Sequence, residues 1–314
     1  MLKKYLLLSL VSGLLFVSCS SNKSSKNALS GTIKIDGSST VYPITEAVAE
    51  QYRSVQPDVR VTAGSSGSGA GFKKFARGET DISDASRAIT DEETQACHEN
   101  GIQFKELKVA LDGIAIVVNP NNDWIDDISV AQLKKIWQPD SKVKTWSDID
   151  SSWPDQEIHL FGPNTAHGTY DFFTEEIMGE SGASRSDYNS VSDYNVAVQG
   201  ISTDKYALGY FGLAYYEENM SKLKLLGVID NGGDPVKPST ETVSSGTYTP
   251  LSRPLFIYVS KKAAQRKEVQ SFVNFYLTNA DSLAKAVGYV QMPQSAYDTQ
   301  QQKFKDFYTQ AESK

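Results

Sequence analysis

Apolar and polar positions alternate in short runs, and the period of the alternation changes along the chain. Residues 32–36 (Thr-Ile-Lys-Ile-Asp) alternate with period two, which predicts a strand that stops at Gly37-Ser38-Ser39-Thr40. Pro43, favoured in a first helical turn, opens a helix with Ile44, Val48 and Tyr52 on one face. A second strand over 59–63 runs into the Gly/Ser-rich stretch 64–71, with a helix predicted over 72–76. A short strand over 80–83 is followed by a turn at Asp84-Ala85-Ser86-Arg87. Residues 109–119 are almost wholly apolar and read as a strand buried on both faces. Beyond it the pattern predicts a helix over 130–137, a strand over 158–161, a polar loop over 162–169 and a helix over 170–178. A strand over 254–260 and helices over 267–278 and 297–312 close the chain. Strands and helices in alternation imply an α/β architecture, and no internal repeat interrupts them.

The N-terminal segment carries a different pattern. Lys3 and Lys4 precede an apolar stretch over 5–17, about a dozen residues, against the roughly 20 needed to span a bilayer. Leu15-Phe16-Val17-Ser18 then leads into Cys19, an arrangement similar to the bacterial lipobox, in which the signal is cleaved before an acylated Cys. Residues 1–18 are therefore expected to be a signal peptide. Residues 19–30, rich in Ser, Asn and Lys, are expected to be a lipid-anchored flexible tether. The protein is expected to be exported, and either anchored to the cell membrane or facing the periplasm.

Charge and cysteine content narrow the chemistry. The net charge is −7, and basic residues form nothing longer than Lys-Lys pairs, which argues against a nucleic-acid partner. Buried backbone donors can still hold an anion whatever the net charge. Cys97 has no partner in the chain once Cys19 is acylated. His98, His159 and His167 lack metal-site spacing. No Gly-Lys-Ser/Thr closes the 64–71 stretch as a nucleotide loop, and no Gly-x-Ser-x-Gly elbow or nucleophile–base pair is present. Neither a metal, a cofactor nor an enzymatic activity is expected.

Four Gly/Ser/Thr-rich loops, at 37–43, 64–72, 84–87 and 162–169, end strands, and most open helices. A loop at a helix N-terminus presents unpaired N–H groups at the positive end of the helix dipole, which is an anion site without a basic side chain. Asp84 in such a site has two readings. It either caps the following turn, or accepts a proton carried by the ligand. In the second case phosphate is favoured over sulfate, which at neutral pH has no proton to give. His167, inside the last loop, is a candidate donor.

Seven segments then occur in a familiar order: Asp36-Gly-Ser-Ser-Thr-Val-Tyr-Pro43, Gly67-Ser-Gly-Ala-Gly-Phe-Lys73, Asp81-Ile-Ser-Asp-Ala-Ser-Arg87, Leu111-Asp-Gly-Ile-Ala-Ile-Val-Val118, Gly162-Pro with Gly168-Thr-Tyr-Asp-Phe-Phe173, Gly209-Tyr-Phe-Gly212 and Pro250-Leu-Ser-Arg-Pro-Leu255. From about residue 31 to 310 the chain resembles the periplasmic phosphate-binding proteins of Pst-type ABC transporters, in their cyanobacterial-like branch. The resemblance implies a class II periplasmic-binding-protein fold, in which two α/β lobes joined by crossing strands enclose the ligand in a cleft. The crossings would fall near 111–116 and 244–253, with lobe 1 over 31–110 plus 254–314 and lobe 2 over 111–253. By motif match Ser39, Thr40 and Ser68 donate to phosphate, Asp84 accepts its proton, and Gly168 and Thr169 donate from the second lobe. Thr165 and His167 share that last loop.

The loop departs from its nearest relatives, with Asn164, Ala166 and His167 standing for Gly, Asp and Ser. Better-known relatives open it with an Arg where this chain has Pro163, so the compensating cation is expected from Arg87 or Arg185, with Arg185 slightly favoured. Cys97 sits where relatives can form a disulfide, and Asp127 occupies the partner position. The implied partners are inorganic phosphate and a membrane permease, with the protein acting as a monomer. The alternatives are a receptor for sulfate, molybdate or phosphonate, or a sensor or adhesin without transport.

Overall fold

The computed structural model describes residues 29–310. Cys19, the expected signal peptide and nearly all of the expected tether lie outside the described residues. The first run of elements is β1 (Gly31–Gly37), α1 (Tyr42–Val55), β2 (Val59–Gly64), α2 (Ser68–Ala76), β3 (Ile82–Ala85), α3 (Asp91–Glu99) and the long β4 (Phe104–Val118). The second run is β5 (Asp127–Ser129), α4 (Val130–Trp137), β6 (His159–Pro163), α5 (Gly168–Met178), β7 (Asn189–Val191), α6 (Tyr194–Thr203), β8 (Ala207–Gly212), α7 (Leu213–Glu218), β9 (Lys224–Leu225), β10 (Gly227–Ile229) and α8 (Thr240–Ser244). The chain returns through β11 (Ser252–Ser260), α9 (Lys261–Ala264), α10 (Lys267–Ala286) and α11 (Gln294–Thr309).

One nine-stranded sheet runs in the order β2-β1-β3-β11-β4-β8-β6-β7, with β9 also on β4, and β5 and β10 form a small parallel pair. β4 changes partner half-way. Residues from Phe104 to Gly113 pair antiparallel with β11, and those from Ile114 to Val118 pair antiparallel with β8. To one side lie the parallel strands β1, β2 and β3, to the other the parallel strands β6, β7 and β8. Two parallel α/β units thus share a pair of antiparallel crossing strands. β3 and β8, next to the crossing strands, are buried on both faces, whereas β1 and β2 keep alternate positions exposed, as the period-two pattern of β1 predicts.

Packing sets the angles at which helices meet the middle of the molecule. Trp137 at the end of α4 is fully buried against Phe173 of α5, Tyr188 and Tyr210 of β8, with ring centroids 5.7, 5.3 and 4.9 Å away. Emptying such a site costs about 3–5 kcal/mol, and here the loss would also loosen α5. On the other side, Tyr52 of α1 meets Phe272 of α10 edge-to-face at 5.3 Å.

Three elements differ from the sequence pattern in ways that matter below. α2 starts at Ser68 and not at 72, so Gly69, Ala70 and Gly71 are helical. Gly71 is needed there because a Cβ would lie 2.5 Å from the Gly37 Cα of β1. β3 covers Ile82–Ala85, which puts Asp84 inside a strand and not in the turn after it. β4 begins at Phe104, five residues before the apolar run, because its first half is only partly buried.

Candidate anion site

The starts of α1, α2 and α5 carry no side-chain cap, whereas Thr90, Ser129 and Ser239 cap α3, α4 and α8 in reciprocal capping boxes. An uncapped start leaves N–H groups available to a ligand, although at α1 the Tyr42 and Ile44 N–H groups already donate to Ser38 O and Val41 O and Pro43 has none. The loops before α1 and α2 are fixed from below. Ser38 N–H donates to Asp84 O at 2.9 Å, and Gly67 N–H donates to Gly37 O at 2.8 Å. Ser66 is held by the Asp36 carboxylate through its N–H at 3.1 Å and its hydroxyl at 2.7 Å, and Lys74 pairs with the same carboxylate. The Ser86 N–H donates to Ser68 Oγ at 3.2 Å, tying the turn after β3 to the start of α2.

These loops line a cavity of about 220 Å³. Ser38, Ser39, Thr40, Gly67, Ser68, Gly69, Ser86 and Arg87 contribute from one side, Asp171 and Glu175 of α5 with Ser181 from the other, and Arg253 of β11 from the crossing strand. A second cavity of about 190 Å³ shares Ser39 and is lined by Ala166, His167, Gly168 and Thr169, with Tyr194, Tyr215 and Tyr289 behind them. The two halves of the molecule touch at Gly168. A Cβ there would lie 2.4 Å from Thr40 Oγ1 and 2.7 Å from Thr40 Cα. Only glycine allows this approach.

The residues expected from the sequence distribute as follows. Ser39, Thr40, Ser68 and Arg87 line the larger cavity; His167, Gly168 and Thr169 line the smaller one. Arg87 forms a fork with Glu93, both bonds at 2.8 Å, so most of its charge is committed. His167 Nε2 donates to the Ser192 carbonyl at 3.1 Å, and its ring lies on Tyr194 at 4.9 Å. Thr165 is exposed and lines neither cavity.

Two further expected residues lie outside both cavities. Arg185 is buried away from both cavities, where it bonds the Ile136 and Val143 carbonyls at 3.1 Å each and Asp187 at 2.6 and 2.8 Å; it ties the end of α4 to the segment between α5 and β7. Asp84 is fully buried and lines neither cavity. Strand parity explains this. Ala85 packs on Phe72 and Phe75 of α2, while Ile82 joins the main core, so Asp84 shares the core-facing side of β3 with Ile82. Neither of its carboxyl oxygens has a hydrogen-bond partner among the described residues. Burial pushes its pKa up to about 8, with Asp36 adding a little; the Thr45 hydroxyl opposes the shift, although it is hydrogen-bonded to Tyr276 at 3.1 Å.

The larger cavity also holds residues outside the expected set, among them Ser86, Asp171, Glu175 and Arg253. Asp171 follows Gly168 by three positions, which places it beside the same helix start. Burial raises its pKa, against the pull of hydrogen bonds from Ser181 at 3.3 Å and Ser39 at 3.5 Å and of the Arg253 charge. Arg253 lies in the Pro250–Leu255 motif that the resemblance assigned to a crossing. Its Nη2 donates to Thr40 Oγ1 at 3.1 Å.

A two-lobed α/β fold with uncapped helix starts around a small polar cavity defines a solute-binding protein. Comparison with known proteins agrees, since residues 22–280 match the PBP superfamily domain and the chain belongs to that superfamily. Within it, the chain is 46% identical to protein SphX of Synechococcus elongatus over 275 residues, covering 87% of this chain and 81% of SphX. It is 42% identical to the phosphate-binding protein PstS of Staphylococcus epidermidis, covering 89% and 84%. The crystal structure of a possible phosphate binding protein from Planctomyces limnophilus superposes with a TM-score of 0.85 at 47% identity, over 89% of this chain and 99% of that one. The chain is thus a member of the family that holds SphX and PstS, and the two-lobed fold expected from the resemblance is borne out.

Proposed function

We propose that this protein captures inorganic phosphate between its lobes and delivers it to an ABC-type permease, without catalysing a reaction. The observation that carries the reading is the cavity itself. Uncapped helix starts, the Ser39, Thr40, Ser68 and Ser86 hydroxyls and two arginines, Arg87 and Arg253, surround a volume of about 220 Å³ that also contains a half-buried carboxylate, Asp171. A carboxylate in an anion site favours a ligand that carries its own proton, and phosphate does so at neutral pH. The role expected of Asp84 passes in this reading to Asp171. The names carried by the PstS relatives support the same ligand.

Lobe 1 (31–110 plus 254–314) and lobe 2 (111–253) would move as units about the crossing strands, and the closed form would be the one the permease recognises. Export and anchoring through Cys19 would place the protein, as a monomer, at the membrane surface beside its permease. A second reading, a receptor for another oxyanion, draws on the altered loop before α5, where Asn164, Ala166 and His167 line or support the smaller cavity. Calorimetric titration of ligand-stripped protein decides between them. One-to-one phosphate binding that excess sulfate does not displace supports the first reading, and folded protein that ignores phosphate but binds another oxyanion supports the second.

A further inference from the structure

We infer that Arg253 is the cationic ligand of the bound anion and that, from its place on a crossing strand, it couples occupancy of the cavity to closure of the lobes. This rests on the phosphate reading and adds to it a residue and a mechanism.

Position comes first. Arg253 stands opposite Asp112 in the β11–β4 register, and β4 changes partner from β11 to β8 immediately after Gly113. The Asp112–Arg253 pair therefore sits where the two lobes join. From there the guanidinium reaches both of them: Nη2 bonds Thr40 of the first lobe, and the group lies over the Phe172 ring of α5 at 3.9 Å from its centroid.

Charge comes second. Three arginines bear on the question, and two have closed their forks on carboxylates: Arg87 on Glu93 at 2.8 and 2.8 Å, and Arg185 on Asp187 at 2.6 and 2.8 Å. Arg253 has not. Its carboxylate neighbours stand at 3.5 Å (Asp112) and 3.8 Å (Glu175), and its Nε has no hydrogen-bond partner among the described residues although the side chain is only 13% exposed. Charge-assisted pairs close to about 2.7–2.9 Å when nothing else competes. A planar fork left open beside a polar cavity matches the two-oxygen edge of a tetrahedral oxyanion.

Coupling follows from the two together. When the lobes part, Thr40 leaves with the first lobe and Phe172 with the second, while Asp112 stays with Arg253 on the paired crossing strands. An anion on the guanidinium favours the arrangement in which Thr40 and α5 come back to it. The ligand then binds the closed form better than the open one, which is the differential affinity a population shift needs.

The test titrates inorganic phosphate into the wild type, Arg253→Gln, Arg253→Lys and Ser68→Ala, and measures the radius of gyration by small-angle X-ray scattering with and without saturating phosphate. We expect Arg253→Gln to lose about 100-fold or more in affinity and Arg253→Lys about 10-fold, and both to show a reduced contraction even at saturation. Ser68→Ala, which removes a donor away from the crossing strands, should weaken binding yet contract like the wild type. Wild-type affinity in Arg253→Gln, or full contraction at saturation, overturns the inference. If that variant does not fold, Arg253→Lys decides, and unchanged affinity with full contraction overturns the inference equally. A wild type that fails to bind phosphate overturns the phosphate reading instead, and this one with it.

Discussion

The starts of α3, α4 and α8 and the starts of α1, α2 and α5 solve one problem in opposite ways. Every helix exposes N–H groups at its first turn that need a partner. In the first set Thr90, Ser129 and Ser239 supply it from within, each reinforced by a reciprocal bond from the third residue of the helix. In the second set the residue at the cap position is Val41, Gly67 or His167, and none bonds its own helix through a side chain. Missing caps alone do not mark a site, since α7, α10 and α11 lack them too. What marks these three is that their starts border the two cavities that share Ser39, with hydroxyls around them. Local stability is given up where a ligand can supply the missing acceptor.

The comparison can be broken most sharply at His167. His167→Asp installs a good cap and a negative charge at the start of α5. It should hold or raise the melting temperature while reducing phosphate affinity at least about 100-fold, since like charges brought together cost several kcal/mol. Calorimetry and thermal melting on one sample check both halves, and unchanged affinity would take the α5 start out of the site. Next comes Asp171→Asn, which turns an acceptor into a donor. The preference for phosphate over sulfate should narrow about 10-fold or more, read from competition titrations.

A third prediction concerns Asp84, which is fully buried and caps nothing. The fold holds its carboxyl protonated up to about 8, against about 3.9 for an unfolded Asp, so folding takes up a proton between those values. The stability it contributes is complete below about pH 4 and is lost as pH rises through about 8. Asp84→Asn mimics the protonated form, so its melting temperature should fall less than that of the wild type between pH 5 and pH 8, by an amount worth on the order of a few kcal/mol. Equal slopes would mean that Asp84 is charged in the fold. The smallest effect is expected at a capped start. Thr90→Ala should cost about 1 kcal/mol in denaturant unfolding and leave phosphate affinity unchanged.

Much of this was legible in the sequence, for identifiable reasons. β1, α1, β2, α4 and the parts of β4 and α10 that carry apolar runs are long enough for a period to register. β7, β9, β10, α7 and α8 span between two and six residues, and no period emerges from so few. The site loops were recognisable by composition because Gly, Ser and Thr cluster there. The roles inside them were harder. A shift of β3 by two residues makes Asp84 a core-facing strand residue and not a loop residue, since alternate strand positions face opposite ways. The cation was out of reach of any local pattern, because Arg253 and Thr40 stand 213 positions apart.

The mid-strand change of partner in β4 has a mechanical consequence. A continuous sheet resists bending where every strand is stitched to the same neighbours along its length. Here the stitching transfers between Gly113 and Ile114, and the Ile114 N–H reaches across to Leu251 O at 3.0 Å, just outside β11. The pairing of the sheet therefore changes hands at that line, and in the proposed reading one half would swing there while each half kept its own ladder. Opening along such a line would cost a few torsion angles and few backbone hydrogen bonds, so that the work of capture could come from a ligand as small as a single tetrahedral ion.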